Sequence, residues 1–129
     1  MFKIDQETKE IQITRGDIGC VKVQALEEDE KTLYVFKVDD VVRLKVTEAG
    51  NCNNVVLEKD KIVEMEEDSV RIRLRREDTK IGDIIHKPVK YWYEVELNPD
   101  TEPQTIVGYD DDGPKIFTLY PEGADENEG

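Results

Sequence analysis

Alternation with a period of two is the feature that most constrains this chain. Val42-Arg43-Leu44-Lys45-Val46-Thr47 places an apolar side chain at every second position, and Val70-Arg71-Ile72-Arg73-Leu74 repeats the pattern. Successive side chains of a strand point to opposite faces, so such a run buries one face and wets the other only as a β-strand. Val42, Leu44, Val46, Val70, Ile72 and Leu74 are therefore core candidates, while Arg43, Lys45, Arg71 and Arg73 face outward.

The same period runs through Glu10-Ile11-Gln12-Ile13-Thr14, Cys20-Val21-Lys22-Val23-Gln24-Ala25 and Tyr91-Trp92-Tyr93-Glu94-Val95-Glu96-Leu97. Residues 104–108 and 115–119 flank Tyr109-Asp110-Asp111-Asp112-Gly113-Pro114, which predicts a hairpin, because Gly113 supplies the positive φ such a loop needs. Residues 32–38 read as a short strand or as a loop carrying core aromatics. Residues 54–67 contain neither Gly nor Pro, yet their apolar positions lack the i, i+3, i+4 comb of a helix. Two short strands around a Glu58-Lys59-Asp60-Lys61 turn are expected there. Residues 76–80 suit a single helical turn bridging two sheets. About seven to eight short strands separated by turns predict an all-β fold, an immunoglobulin-like antiparallel β-sandwich. Residues 1–121 form one domain in this reading. Residues 122–129, with Glu122, Asp125, Glu126 and Glu128, form an acidic tail too polar to repay its ordering entropy and are expected to be disordered.

Charge narrows the function classes. The 129 residues carry 18 basic and 31 acidic side chains, a formal net charge of −13, so generic phosphate binding is disfavoured and no nucleic-acid partner is expected. No apolar run approaches the ~20 residues of a spanning helix, and the polar start at Lys3 and Asp5 does not read as an export signal. A cytoplasmic product with no membrane partner follows as the expectation. Cys20 and Cys52 then read as reduced thiols, and nothing in their spacing requires a bridge.

The catalytic inventory is thin. The chain has one histidine, His86, and one serine, Ser69, and neither lies in a nucleophile motif. Two cysteines and one histidine, widely spaced, do not make a zinc site. No catalytic residue, cofactor or metal is expected, and the enzyme reading ranks last.

Four short features remain. Arg15-Gly16-Asp17 is an integrin-type tripeptide, but its place between two strands favours a turn in which Gly16 permits the bend. Asp110-Asp111-Asp112-Gly113 has the run of acids ending in glycine found in a calcium loop. Aligned on its glycine, the first and last ligand positions fall on Gly108 and Leu119, so the template fails. Arg71, Arg73 and Arg75 share one strand face in the main basic cluster. They are either paired with acids across the sheet or form a docking stripe for an acidic partner. Trp92 must point opposite to Tyr91 and Tyr93, so either it or they meet solvent, a covering loop or a partner. Arg71, Arg73, Arg75 and Trp92 are the candidate interface.

The order of several segments resembles a known family. Ile11-Gln12-Ile13-Thr14-Arg15-Gly16-Asp17-Ile18-Gly19 resembles the opening of small phage and prophage structural domains related to the N-terminal domain of upper baseplate proteins of phages of Gram-positive bacteria. The likeness continues through Val38-Asp39-Asp40-Val41-Val42-Arg43-Leu44-Lys45-Val46, the Glu77-Asp78-Thr79 turn, Lys90-Tyr91-Trp92-Tyr93-Glu94-Val95-Glu96-Leu97 and the closing Ile116-Phe117-Thr118-Leu119. The resemblance implies an immunoglobulin-like sandwich and a virion location after synthesis in the host cytoplasm. It also implies a non-enzymatic baseplate or tail assembly role, with other virion structural proteins as partners and a homo-oligomer in the particle. The relatives continue into a fibre-forming or receptor-binding region, whereas this sequence ends near residue 129, so a terminal receptor-binding role is not part of the expectation. A head decoration protein is the nearest alternative. A carbohydrate-binding sandwich stacking sugar on Trp92 and Tyr109 is the alternative from another class.

Overall fold

The alternating runs become nine strands in a computed structural model that describes residues 1–5, 7–27, 29 and 31–122. They are β1 (Phe2–Ile4), β2 (Ile11–Thr14), β3 (Gly19–Val23), β4 (Val41–Glu48), β5 (Asn51–Ile62), β6 (Val70–Leu74), β7 (Val89–Leu97), β8 (Gln104–Val107) and β9 (Lys115–Tyr120). A single helical turn, α1 (Arg76–Thr79), lies between β6 and β7. The larger sheet has the order β1-β2-β9-β7-β4-β5, with β8 also on β7, and β3 pairs with β6 in a second, two-stranded sheet. All pairings between these strands are antiparallel except β2 with β9.

The fold is the expected all-β sandwich, with unequal layers. Val21, Val23, Val70, Ile72 and Leu74 of the small sheet pack into one core with residues of the large sheet that include Leu44, Val95 and Phe117. Burying each such side chain contributes about 1.5–3 kcal/mol. Phe36 closes the core from the connection between β3 and β4. That stretch is a loop carrying core aromatics, with Tyr34 edge-on to Phe36 at 5.2 Å.

Two expectations are corrected. Residues 51–62 form one continuous strand, with no turn at Glu58-Lys59-Asp60-Lys61. Three of those four charges have a use along β5: Glu58 and Asp60 stand opposite Lys45 and Arg43, and Lys59 reaches Asp78 of α1 at 2.9 Å. Nor do β8 and β9 form a hairpin with each other. Both pair with β7, Gln104 to Val107 beside its C-terminal half and Lys115 to Leu119 beside its N-terminal half. They line one side of β7 in succession, separated by an outward loop at 108–114 whose turn closes between Asp110 and Gly113, where φ is 93°.

The Arg15-Gly16-Asp17 segment is a turn, as expected, and it joins the two layers. Gly16 has φ of 86°, a backbone conformation that side-chain-bearing residues rarely adopt. Its N–H donates to Thr79 Oγ1 at 3.0 Å, and that hydroxyl donates to the Asp17 carbonyl at 2.8 Å. The Arg15 side chain is only 10% exposed, with Nη1 on Glu122 Oε1 and Nη2 on the Gly82 carbonyl, both at 2.7 Å. An arginine held this way is not displayed to a receptor. Glu122, assigned from sequence to the tail, is anchored to the domain by this pair; the remainder of that tail, 123–129, lies outside the described residues.

Candidate docking surface

Two outward sheet faces carry basic residues, and they differ in what faces them. On the large sheet, Arg43 stands between Asp60 of β5 and Glu96 of β7, and Lys45 stands between Glu58 and Glu94. Arg43 holds Asp60 at 2.7 Å and Asp100 at 3.1 Å, and Lys45 lies 3.6 Å from Glu94. The hydrogen bonds to Asp60 and then Asp100 push the Arg43 pKa further up. This face is a neutralised charge ladder of the ordinary cross-strand kind.

The small sheet has no such ladder. Arg71 stands opposite Lys22, and Arg73 opposite Cys20. Arg75 continues the alternation just past β6, and Arg76 and Lys80 follow at α1. The side chains of Cys20, Lys22, Arg71, Arg73, Arg75, Arg76 and Lys80 are all exposed, and none of the six cations forms an ion pair among the described residues. Like charges directly opposite one another on a sheet are destabilising. On a chain of −13, this small face gathers positive charge that has no ion-pair partner among the described residues.

Trp92 lies elsewhere. Its strand neighbours are Thr47 and Ile116, on the outer face of the large sheet, while Tyr93 points into the core. Burial pushes the Tyr93 pKa up to about 12, and its hydroxyl donates to the Lys9 carbonyl at 2.5 Å. Trp92 is half-buried because Tyr109 of the 108–114 loop packs against it, ring centroids 5.9 Å apart at 64°. Tyr109 itself is 73% exposed. The two sheets share one core, so their outer faces point away from each other. The structure therefore places Trp92 on a different face from Arg71, Arg73 and Arg75, the other candidate interface residues.

The other candidates resolve individually. Lys115 Nζ sits 2.7 Å from Asp110 Oδ1, so a lysine already satisfies the carboxylate nearest a would-be cation. That bond is the main cause holding Asp110 below the usual carboxylate range. No cluster of three or more metal-ligating side chains occurs among the described residues. His86 is exposed in the segment before β7, Ser69 is half-buried just before β6, and no hydrogen bond joins them among the described residues. Cys20 and Cys52 are both free and exposed, on different sheets. Sequence reading missed Lys22 as a member of the cationic face; the β3–β6 pairing that places it there has no local signal.

Fold and surface together define a β-sandwich with one cationic face, without ion pairs among the described residues, and one aromatic patch on the opposite side. No family model, curated protein or solved structure matches the chain.

Proposed function

We propose that this protein is a non-enzymatic docking module for assembly, acting through protein–protein contacts in a phage or prophage particle, at the baseplate or tail. The observation that carries the docking reading is the Lys22/Arg71/Arg73 face. A cluster of cations that repel one another and have no ion-pair partner among the described residues is explained by a partner that supplies one. The virion setting is supported by the ordered resemblance from Ile11 to Leu119. The Trp92–Tyr109 patch on the opposite side gives a second contact surface, so one copy can sit between two neighbours. In free solution the −13 charge opposes self-association, and a symmetric particle supplies the short-range contacts that overcome it.

The test is incorporation. The chain is co-expressed with the proteins encoded beside its own gene, and particles or complexes are purified and quantified by mass spectrometry. Arg71→Glu with Arg73→Glu should abolish recovery of a folded protein in the complex. Undiminished recovery would remove this face from the proposal.

A further inference from the structure

We propose that the open seam between β3 and β8 takes an extended strand from a partner protein, one that alternates apolar with acidic residues and adds to the outer edge of β3. The apolar half of this recognition stands on the cleft itself. The acidic half rests on the docking reading above, because it uses Lys22 of the same cationic face.

The first observation is an asymmetry of the sandwich. Along one side the small sheet meets the large one: β6 packs beside β5, and Lys59 holds Asp78 at 2.9 Å. Along the other side β3 and β8 do not pair, and a cleft of about 810 Å³ opens between them. Val21, Val23, Ala25, Ile106 and Val107 line it. Gln104 shows that the core side of the large sheet reaches solvent there, since its strand partner Leu97 is buried while Gln104 is exposed.

The second is the state of the edge. β3 pairs with β6 on one side, and among the described residues no backbone hydrogen bond reaches Gly19–Val23 from the other. Such an edge is a template for another strand unless proline, a bulge or an inward charge blocks it. β3 has none of these: its sequence is Gly-Cys-Val-Lys-Val, its register with β6 is unbroken, and its one charge points outward. β8 does have a break, a register shift opposite Val95 and Glu96, so the incoming strand bonds to β3 and packs its apolar side chains against Val107. The slot has defined ends. Phe2 lies over Gly19 at one, and at the other the Ala25 carbonyl accepts the Tyr34 N–H at 2.8 Å. About five residues fit between them, roughly 17 Å of strand.

The third is charge. The charged side chains lining the cleft are Lys9, Lys22 and Glu27, two cations to one acid. Lys22 already faces Arg71 on its β6 side, and an added strand stands on its other side. An acid there offsets the like-charge pair, whereas a lysine there extends it to three cations in a row. Alternation completes the pattern: with acids on the outer face, the residues between them point into the cleft, where apolar side chains meet Val21, Val23 and Val107. A second copy offering its own β3 brings another Lys22 to the same outer row, so the occupant is a different protein.

The probe is a capped peptide of about seven residues alternating valine with glutamate, added to the full chain. A peptide alternating valine with lysine, and one carrying the same valines and glutamates in two blocks, serve as comparisons. Amide exchange is followed by NMR. With the peptide at about ten times its dissociation constant, alternate amides of Gly19–Val23 should exchange about tenfold more slowly, and those of β5 should not change. The lysine peptide should bind about threefold more weakly or worse, although the −13 charge attracts it from a distance, and Lys22→Glu should reverse that order. No binding by the glutamate peptide would overturn the proposal, as would equal binding of the blocked peptide. So would binding that leaves the β3 amides unchanged, which would place the peptide on the outer arginines alone. Slowing that appears without peptide as protein concentration rises would put a second copy in the slot and overturn it too. These measurements use the free chain, whereas docking is tested by incorporation, so loss of incorporation in Arg71→Glu/Arg73→Glu without any β3 slowing removes the strand and leaves the docking face.

Discussion

Lys22 and Arg71 face each other across the β3–β6 pair with no carboxylate within ion-pair distance of either among the described residues. The same alternation in β4 has the opposite outcome, since Arg43 and Lys45 meet four acids on the flanking strands. A mixed sheet surface neutralises itself where the pairing allows, and here one strand pair does not.

That contrast gives the first prediction. Replacing Arg71 by Glu sets a carboxylate opposite Lys22 and should raise stability slightly, by about 0.2–1 kcal/mol, as cross-strand pairs do. Thermal unfolding at low salt reads the change. Arg43→Met should do the reverse, losing about 1 kcal/mol, because it leaves Asp60 and Asp100 without their partner. A destabilised Arg71→Glu would mean that Arg71 has a role within the fold.

The second prediction concerns a close approach. Gly19 lies under the Phe2 ring, and a methyl group placed on it would come within 2.4 Å of Phe2 Cδ1. Gly19→Ala should therefore cost about 1–3 kcal/mol through overpacking. In Phe2→Ala the same substitution should be nearly free, giving a coupling of about 1–3 kcal/mol in a double-mutant cycle. Additive effects would show that the ring does not pack there.

The third is a pH dependence. Burial works to raise the Asp40 pKa, but hydrogen bonds from the Lys37 N–H, the Asn98 amide and the Tyr34 hydroxyl outweigh it, and the net direction is downward from 3.8. Asp78 behaves alike: burial is outweighed by the Arg75 N–H and Lys59. A carboxylate whose folded pKa is lowered contributes stability that is complete above its unfolded pKa and lost as pH falls through the folded value. Urea midpoints should thus hold steady down to about pH 5 and then fall as the solution is acidified below 4. Asp40→Asn should lower stability by about 1 kcal/mol at neutral pH and flatten part of that acid slope.

How much of this was legible in the sequence follows from the range of each interaction. Val70 to Leu74 was readable as a strand with its arginines outward, because alternation is local. The single long strand β5 was not, since the acids and bases that keep Glu58 to Lys61 extended lie on other elements. The pairing of β8 with β7 was invisible for the same reason: two alternating runs around an acidic glycine turn look like a hairpin whichever strand receives them. The site divides in the same way. Exposure of Arg71 and Arg73 was local information, while the lack of opposing acids depends on which strand pairs with β6, and the separation of Trp92 from the arginines depends on which sheet each strand joins.

The last prediction uses Trp92, the chain's single tryptophan, as a reporter of the opposite face. Its indole is half-buried between Thr47, Ile116 and the ring of Tyr109. Tyr109 contributes mainly cover, because it is itself exposed, and the edge-on contact is worth about 0.5 kcal/mol at such a site. Tyr109→Ala should shift Trp92 emission to longer wavelength and increase quenching by acrylamide, a neutral quencher unaffected by nearby Glu94, while changing the unfolding midpoint little. The cationic face lies on the far side of the core, so Arg71→Glu with Arg73→Glu should leave Trp92 emission and quenching unchanged. A shift in Trp92 emission on those arginine substitutions would mean that the two faces communicate through the core, and they would then have to be treated as one surface.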